Sequence, residues 1–325
     1  MEKRVAFVTN NSNYNLGSYR IWIHDLNQYL LKAGVRASAP QNTSLENLEE
    51  EILIVGKGEN ALAEKLKSTH PNKKIGLINP EGGKEYSYCD FLIVGSVEEK
   101  ASLLQNNNVF IFPLIENIFQ NSSLKKHYDK KIKFCFHGHY PHLAKFEPAV
   151  REALNQFSLE KEAELLVING HPNFNWEYGK PKIPITYKAW DASTIKEEIL
   201  SCDIGLVPNL SPVTDYALEY SMDKGLYKHD YITRFKNKSN GGRAFVFHQL
   251  GIPVVADLTP SNVHVLGDPE NGYIAHDKYG WLQAFRELSC PCKRNEVAEN
   301  AKREFDRLYD PVQWALKLYK QIKNL

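Results

Sequence analysis

Apolar residues are distributed along the chain in two alternating patterns. Continuous β-branched and aromatic runs, "RVAFVTN" (4–10), "EILIVG" (51–56), "KIGLIN" (74–79), "DFLIVG" (90–95) and "VFIFPL" (109–114), predict parallel strands covered on both faces. Between the first two runs the period changes. Tyr19, Trp22, Leu26, Tyr29 and Ala33 recur at spacings of three and four, which predicts one amphipathic helix closed by Gly34 as a C-cap.

The polar stretch "QNSSLKKHYDKK" (120–131) has no apolar periodicity and reads as a connection between two domains. A second series then begins: "IKFCFHG" (132–138), "ELLVING" (164–170), "IPITYKAW" (183–190), "CDIGLVPN" (202–209), "IPVVAD" (252–257) and "NGYIAHD" (271–277). Asp310 and Pro311 make an N-cap and N1 pair for a last helix carrying Trp314, Leu318 and Ile322 on one face. The pattern predicts an α/β class with two Rossmann-like doubly wound domains facing a cleft, whose chemistry lies in the loops after the strands. The expected division is 1–118 for the first domain, 119–131 for a linker, 132–308 for the second domain, and 309–325 for a helix returning to the first.

Composition narrows the class. Lys plus Arg number 40 against 39 Asp plus Glu, so the basic excess of a nucleic-acid binder is absent. No apolar run approaches the ~20 residues that cross a bilayer, and "MEKRVAFVTN" lacks the apolar core of a signal peptide, so a cytoplasmic location is expected. Cys89, Cys135 and Cys202 lie in apolar or strand-like contexts and read as buried thiols. The "CPC" of Cys290 and Cys292 has neither zinc spacing nor a companion cluster, so no metal site is assigned.

Two loops attract attention. Gly17 and Ser18 follow the first strand where the first helix begins, a place where backbone N–H groups favour an anion; a plain Ser N-cap on an Asn-rich loop is the alternative. In "NKSNGGRAFVFHQLGIPVVAD" (237–257), Lys238, Ser239, Asn240, Gly241, Gly242 and Arg243 precede an apolar helix. A diphosphate would meet unpaired N–H groups and two cations there, whereas the simpler reading is a capped helix start with small residues for close packing. Neither loop matches a dinucleotide fingerprint or a P-loop, so nucleotide hydrolysis is not expected and no cofactor is assigned.

The basic loop, its helix, "LGIPVVA", the Thr-Pro turn and "VLGDPENGYIA" together resemble the second domain of GT-B glycosyltransferases of the group 1 / family 4-like superfamily. "WDASTIKEEILSCDIGLVP" (190–208) resembles the segment before that family's donor loop. The resemblance covers about 190 to 285 well and the first half by layout only. It implies metal-independent transfer of a sugar from a nucleotide-sugar donor to a saccharide or lipid-linked acceptor, as in bacterial-type cell-surface glycan synthesis. Carried over by position, Lys238 and Arg243 would bind the donor diphosphate, and Ser239 to Gly242 would supply backbone donors. "TPSN", with Thr259 and Ser261, would form the adjacent donor wall, and Gly17 and Ser18 would match the first-domain glycine loop. One departure is Val246, which stands where many retaining members carry a ribose-binding Glu.

"FHGHYPHL" adds His137 and His139 as residues of a loop contacting the donor, and His171 before Pro172 is similar to transferases with CMP- or CDP-linked donors, or is a simple turn. An inverting enzyme needs a base, for which Glu81 in "NPEGGKEY" is the expected carboxylate; a solvated acid in a turn is the competing reading. A nucleotide-sugar epimerase of the same fold and a non-catalytic sugar-binding protein are the alternatives from other classes. Lys125, Lys126, Lys130 and Lys131, with Lys317, Lys320 and Lys323, offer a peripheral contact with an anionic membrane, or are solvated faces.

Overall fold

The computed structural model describes residues 3–39, 48–81, 84–103, 108–139, 141–144, 148–171, 175–209, 229–230, 235–236, 240–267 and 269–325. The chain divides into two compact units, Met1–Asn117 with Tyr309–Leu325, and Ile118–Leu308.

In the first unit, β1 (Val5–Val8), β2 (Ala37–Ser38), β3 (Ile52–Val55), β4 (Lys74–Ile78), β5 (Phe91–Val94) and β6 (Asn108–Ile111) form one sheet in the order β2-β1-β3-β4-β5-β6. Every pairing is parallel. The two-residue β2 carries no apolar run, so the hydrophobic pattern does not reveal it. The sheet order reverses direction between β1 and β3, which places the switch point at their carboxyl ends.

The predicted first helix spans Gly17 to Lys32, but its middle, Arg20–Asp25, is π-helical. Tyr19, Trp22, Leu26 and Tyr29 are buried as the stripe requires. The wider turn also buries Arg20 and Asp25. Arg20 Nη2 pairs with Glu116 Oε2 at 2.7 Å, while Asp25 accepts the Asn117 N–H at 2.9 Å and meets His24 Nδ1 at 2.9 Å. Burial raises both the Asp25 and the Glu116 carboxyl. Gly34 ends the helix at φ +80°, with Val35 N–H bonded back to Leu30 O, a left-handed cap that a side chain would strain. The Pro311–Lys323 helix packs Ala315, Leu318, Tyr319 and Ile322 into the same core; Asp310 caps it by accepting the Gln313 N–H at 2.8 Å.

In the second unit, β7 (Ile132–His137), β8 (Ala163–Asn169), β9 (Ile185–Ala189) and β10 (Ile204–Val207) are followed by a two-residue antiparallel pair, β11 (His229–Asp230) and β12 (Phe235–Lys236), then β13 (Val254–Asp257) and β14 (Tyr273–Ala275). The main sheet runs β14-β13-β10-β7-β8-β9, all parallel. Its switch point lies between β7 and β10. The core joins Phe134, Phe136, Phe157, Trp281 and Phe285 across the sheet and its helices.

The 119–131 stretch is polar because it is bound through polar groups. Its His127 exchanges hydrogen bonds with Asn295 at 2.9 Å in both directions and meets Gly251 O at 3.1 Å. The buried Asp203 carboxylate is ringed by Lys125 at 3.7 Å, His127 at 3.7 Å and Lys130 at 3.5 Å, and accepts the Lys133 N–H at 3.0 Å. Lys131 pairs with Glu162 and Glu164. Lys125, Lys130 and Lys131 are thereby engaged with carboxylates of their own unit. No described helix is long and apolar enough to cross a membrane.

Two outcomes are expected. Leu318→Ala should cost about 2–5 kcal/mol in chemical denaturation, because a buried leucine of the first core is removed; a loss below about 1 kcal/mol would show that the terminal helix is not part of that core. Burial alone would raise the Asp203 carboxyl, but His127, Lys125, the Lys133 N–H and Lys130 hold it at about 2 against an ordinary 3.8. The folded-state value is depressed, so the stabilisation is complete above about pH 4 and disappears as pH falls toward 2, a change of about 2 kcal/mol. Urea unfolding of the wild type and Asp203→Asn across that window should show this component in the wild type alone.

Candidate functional site

The Gly242–Gln249 helix packs tightly onto the second sheet. Ala244, Val246 and Phe247 are buried, and a Cβ added to Gly205 of β10 would meet the Phe247 ring at 2.5 Å. This close approach delivers Arg243, on the helix's first turn, to the carboxyl ends of the two strands that flank the switch point. The Arg243 guanidinium lies 5.3 Å from the Phe136 ring centroid of β7, and its Nη2 donates to Pro208 O, just beyond β10, at 2.9 Å. Its Cδ sits 3.3 Å from where a Gly138 side chain would begin.

Polar residues at the strand ends hold this charge. Asp257, the last residue of β13, accepts the Asn209 N–H at 2.7 Å and the Trp281 indole N–H at 3.2 Å. Asn262 Nδ2 donates to the Asp257 carbonyl at 2.8 Å. The Asn209 amide, with its oxygen turned toward Arg243, lies 3.2 Å from Nη2. Burial lowers the guanidinium to about 10 while Asp257 pulls the other way, so it stays charged near neutral pH. Although Arg243 is only half-buried as a residue, its Nη1 is fully buried and has no hydrogen-bond partner among the described residues.

At the helix start the N-cap is Gly241, which has no side chain to cap it, and Asn240 Oδ1 accepts the Gly242 N–H at 3.3 Å. Gly241 is small for a packing reason: a Cβ there would meet Val265 Cγ2 at 2.7 Å. That contact brings the 240–243 turn against the Pro260–Val265 helix. Thr259 is buried and caps this helix by accepting the Asn262 N–H at 3.3 Å, and Ser261 is buried beside it. His137 is buried with its ring edge-on to Phe247 at 5.1 Å, while His139 is exposed. The structure therefore gathers Asn240, Gly241, Gly242, Arg243, Thr259, Ser261 and His137 around one helix. Lys238, Ser239 and Pro172 lie outside the described residues. His171 is exposed and its N–H is held by Asn169 Oδ1 at 2.7 Å, a local turn bond.

In the first unit the switch point is filled differently. Glu59 accepts the Asn10 N–H with both oxygens, at 3.1 and 3.0 Å, and also bonds to Thr9. Gly17 opens the first helix with ordinary space around it, since a Cβ would meet Ile21 Cδ1 at 3.6 Å, and Ser18 is half-buried next to it. Glu81, after β4, is exposed and paired with Lys84 at 2.5 Å, and its backbone is pinned by the Tyr86 hydroxyl.

Reading the sequence missed Asn209 and Asp257. The signal was present, because "DIGLVPN" and "PVVAD" each place a polar residue directly after an apolar strand.

No protein-family model matches the chain, and no curated protein does either. Solved structures do. Sucrose-phosphate synthase from Thermosynechococcus elongatus superposes with a TM-score of 0.66 at 11% identity, covering 99% of both chains. Anabaena HepE in complex with UDP-glucose gives 0.62 at 10% identity over 100% of both chains. S. aureus TarM, solved with UDP and saccharide ligands, gives 0.55 at 12% identity; 84% of this chain is matched, and it spans about half of TarM, 55% of that length. The fold is that of the GT-B glycosyltransferases, built from two Rossmann-like doubly wound α/β units.

The two glycines differ in a testable way. Gly241→Ala should destabilise by about 1–3 kcal/mol, because its Cβ would overlap Val265. Gly17→Ala should leave the melting temperature within a degree or two, roughly the range of a neutral surface change. Thermal unfolding of both variants checks this; equal losses would contradict it.

Proposed function

We propose that the protein is a glycosyltransferase that binds a nucleotide-diphosphate sugar in its second unit and passes the sugar to a hydroxyl of a saccharide or lipid-linked acceptor. The observation that carries this reading is the Arg243 guanidinium, held at the switch point with Nη1 buried and without a hydrogen-bond partner among the described residues. An anionic oxygen satisfies such a group, and a charge-assisted bond of this kind is stronger than a neutral one. A diphosphate leaving group develops negative charge as the glycosidic bond breaks, and fixed positive groups stabilise it without a metal. The first turn of the Gly242–Gln249 helix adds N–H donors on the same side. Lys238 and Ser239 complete this site in the proposal, with Asn240, Gly241 and Gly242 lining the phosphate and Thr259, Ser261, His137 and His139 bordering the sugar.

The fold supports the same chemistry, since similar structures hold UDP or UDP-glucose. Val246 is fully buried, so no side chain at that place reaches a ribose, and selection among nucleosides rests on other residues. Gly17 and Ser18 face the reacting sugar in this proposal. Glu81, released from Lys84, serves as the base of an inverting reaction. A role in cell-surface glycan synthesis on the cytoplasmic side of a membrane, with peripheral contact through Lys126 and the terminal helix, fits a lipid-linked acceptor.

A binding panel of UDP-, GDP-, ADP-, dTDP- and CDP-sugars, read by calorimetry and thermal shift, tests the proposal. One nucleotide sugar should raise the melting temperature, and Arg243→Ala should weaken its binding about 10- to 100-fold, the loss expected for a charged hydrogen bond worth about 1.5–3 kcal/mol. Absence of binding across the panel, or equal affinity in the variant, would overturn it.

A further inference from the structure

Five cysteines fall into two groups that differ in access. Cys89, Cys135 and Cys202 are buried free thiols. Cys290 and Cys292, separated only by Pro291, are joined in a disulfide, with Cys290 half-buried and Cys292 exposed. A bridge across one residue closes so short a loop that it removes little freedom from the unfolded chain, so overall stability does not explain it. Its surroundings suit exchange instead. The pair sits at the start of the eighteen-residue Pro291–Leu308 helix, followed at once by Lys293 and Arg294. Backbone N–H groups at the helix start favour a thiolate, the species that both attacks and leaves in thiol–disulfide exchange.

The residues that follow the pair are the clamp on the chain entering the second unit. Arg294 is fully buried; its Nη1 donates to Leu288 O at 2.7 Å and Ser289 O at 3.0 Å, and its Nη2 to Tyr128 O at 2.8 Å. Asn295 bonds both the N–H and the carbonyl of His127, and also Pro291 O at 2.8 Å. Both clamping residues are bonded to the bridged turn itself, the Arg294 N–H to Cys290 O at 3.1 Å and Asn295 Nδ2 to Pro291 O at 2.8 Å.

We propose that Cys290 and Cys292 form a reversible redox site whose state sets how firmly the 125–131 segment is held. This inference is independent of the glycosyl-transfer reading. A thiolate of the glutathione or dithiol class attacks Sγ of the exposed Cys292, and the Cys290 sulfur leaves as a thiolate and takes a proton. A second reductant thiol then resolves the mixed disulfide. Two electrons and two protons enter the pair as the reductant becomes a disulfide.

Native protein equilibrated in glutathione buffers of graded potential, alkylated and mapped by mass spectrometry, should change between no label and two labels, both on Cys290 and Cys292. Hydrogen exchange in 125–131 should become about 10-fold faster on reduction, as expected for easier local opening. The Cys290→Ser, Cys292→Ser double variant should show the faster exchange in every buffer. Free thiols in the most oxidising buffer, or a bond that resists the most reducing one, would overturn the redox site. Exchange that is equal in both states of the wild type would overturn its coupling to the clamp.

Discussion

The second unit has to keep a permanently charged guanidinium at the end of an otherwise apolar sheet, and much of its local design follows from that demand. Removing an arginine from water without partners is costly. Here the cost is offset by one carbonyl beyond β10, the face of Phe136, and the negative charge of Asp257. Asp257 is in turn held by Asn209 and Trp281, so four segments of the chain converge on one cation. Gly205 lets the helix come close enough to deliver it, and Gly241 lets the preceding turn settle against its neighbour. One guanidinium nitrogen nevertheless has no hydrogen-bond partner among the described residues. In a site so fully furnished, that omission is the feature that points to an anionic ligand.

The first unit solves the equivalent topological position in the opposite way. At the carboxyl ends of β1 and β3 the chain's own Glu59 accepts the available N–H of Asn10. A carboxylate already present would repel a phosphate, while a cation with a spare donor attracts one. The two doubly wound units share an architecture, then, but among the described residues their switch points carry groups of opposite charge, Glu59 in the first and Arg243 in the second.

Most of the strand layout could be read from the chain because fully covered parallel strands need continuous apolar runs, and "EILIVG" or "PVVAD" have little other use. The sites at the strand ends were partly legible too: Arg243 stood out because a basic residue followed two glycines at a helix start. What escaped notice was set by long-range geometry. Asp257 looks like an ordinary strand end until Arg243, 35 residues from Pro208 in sequence but bonded to it in space, is placed near it. The π-helical turn at Arg20–Asp25 keeps the same apolar stripe as an α-helix, so periodicity could not announce the buried Arg20–Glu116 pair. Likewise the 119–131 stretch has the polarity of a free linker, yet that polarity is used in bonds to Asp203, Asn295 and Arg294. Composition shows that groups are polar; it does not show whether water or protein answers them.

The most direct test of the central claim is a crystal structure with the nucleoside diphosphate that binds most tightly. The account predicts a phosphate oxygen within about 3 Å of Arg243 Nη1, an ordinary charged hydrogen bond, with the first turn of the Gly242–Gln249 helix facing the same phosphate. A nucleotide bound elsewhere, with Arg243 unchanged and Nη1 still unpaired, would contradict it.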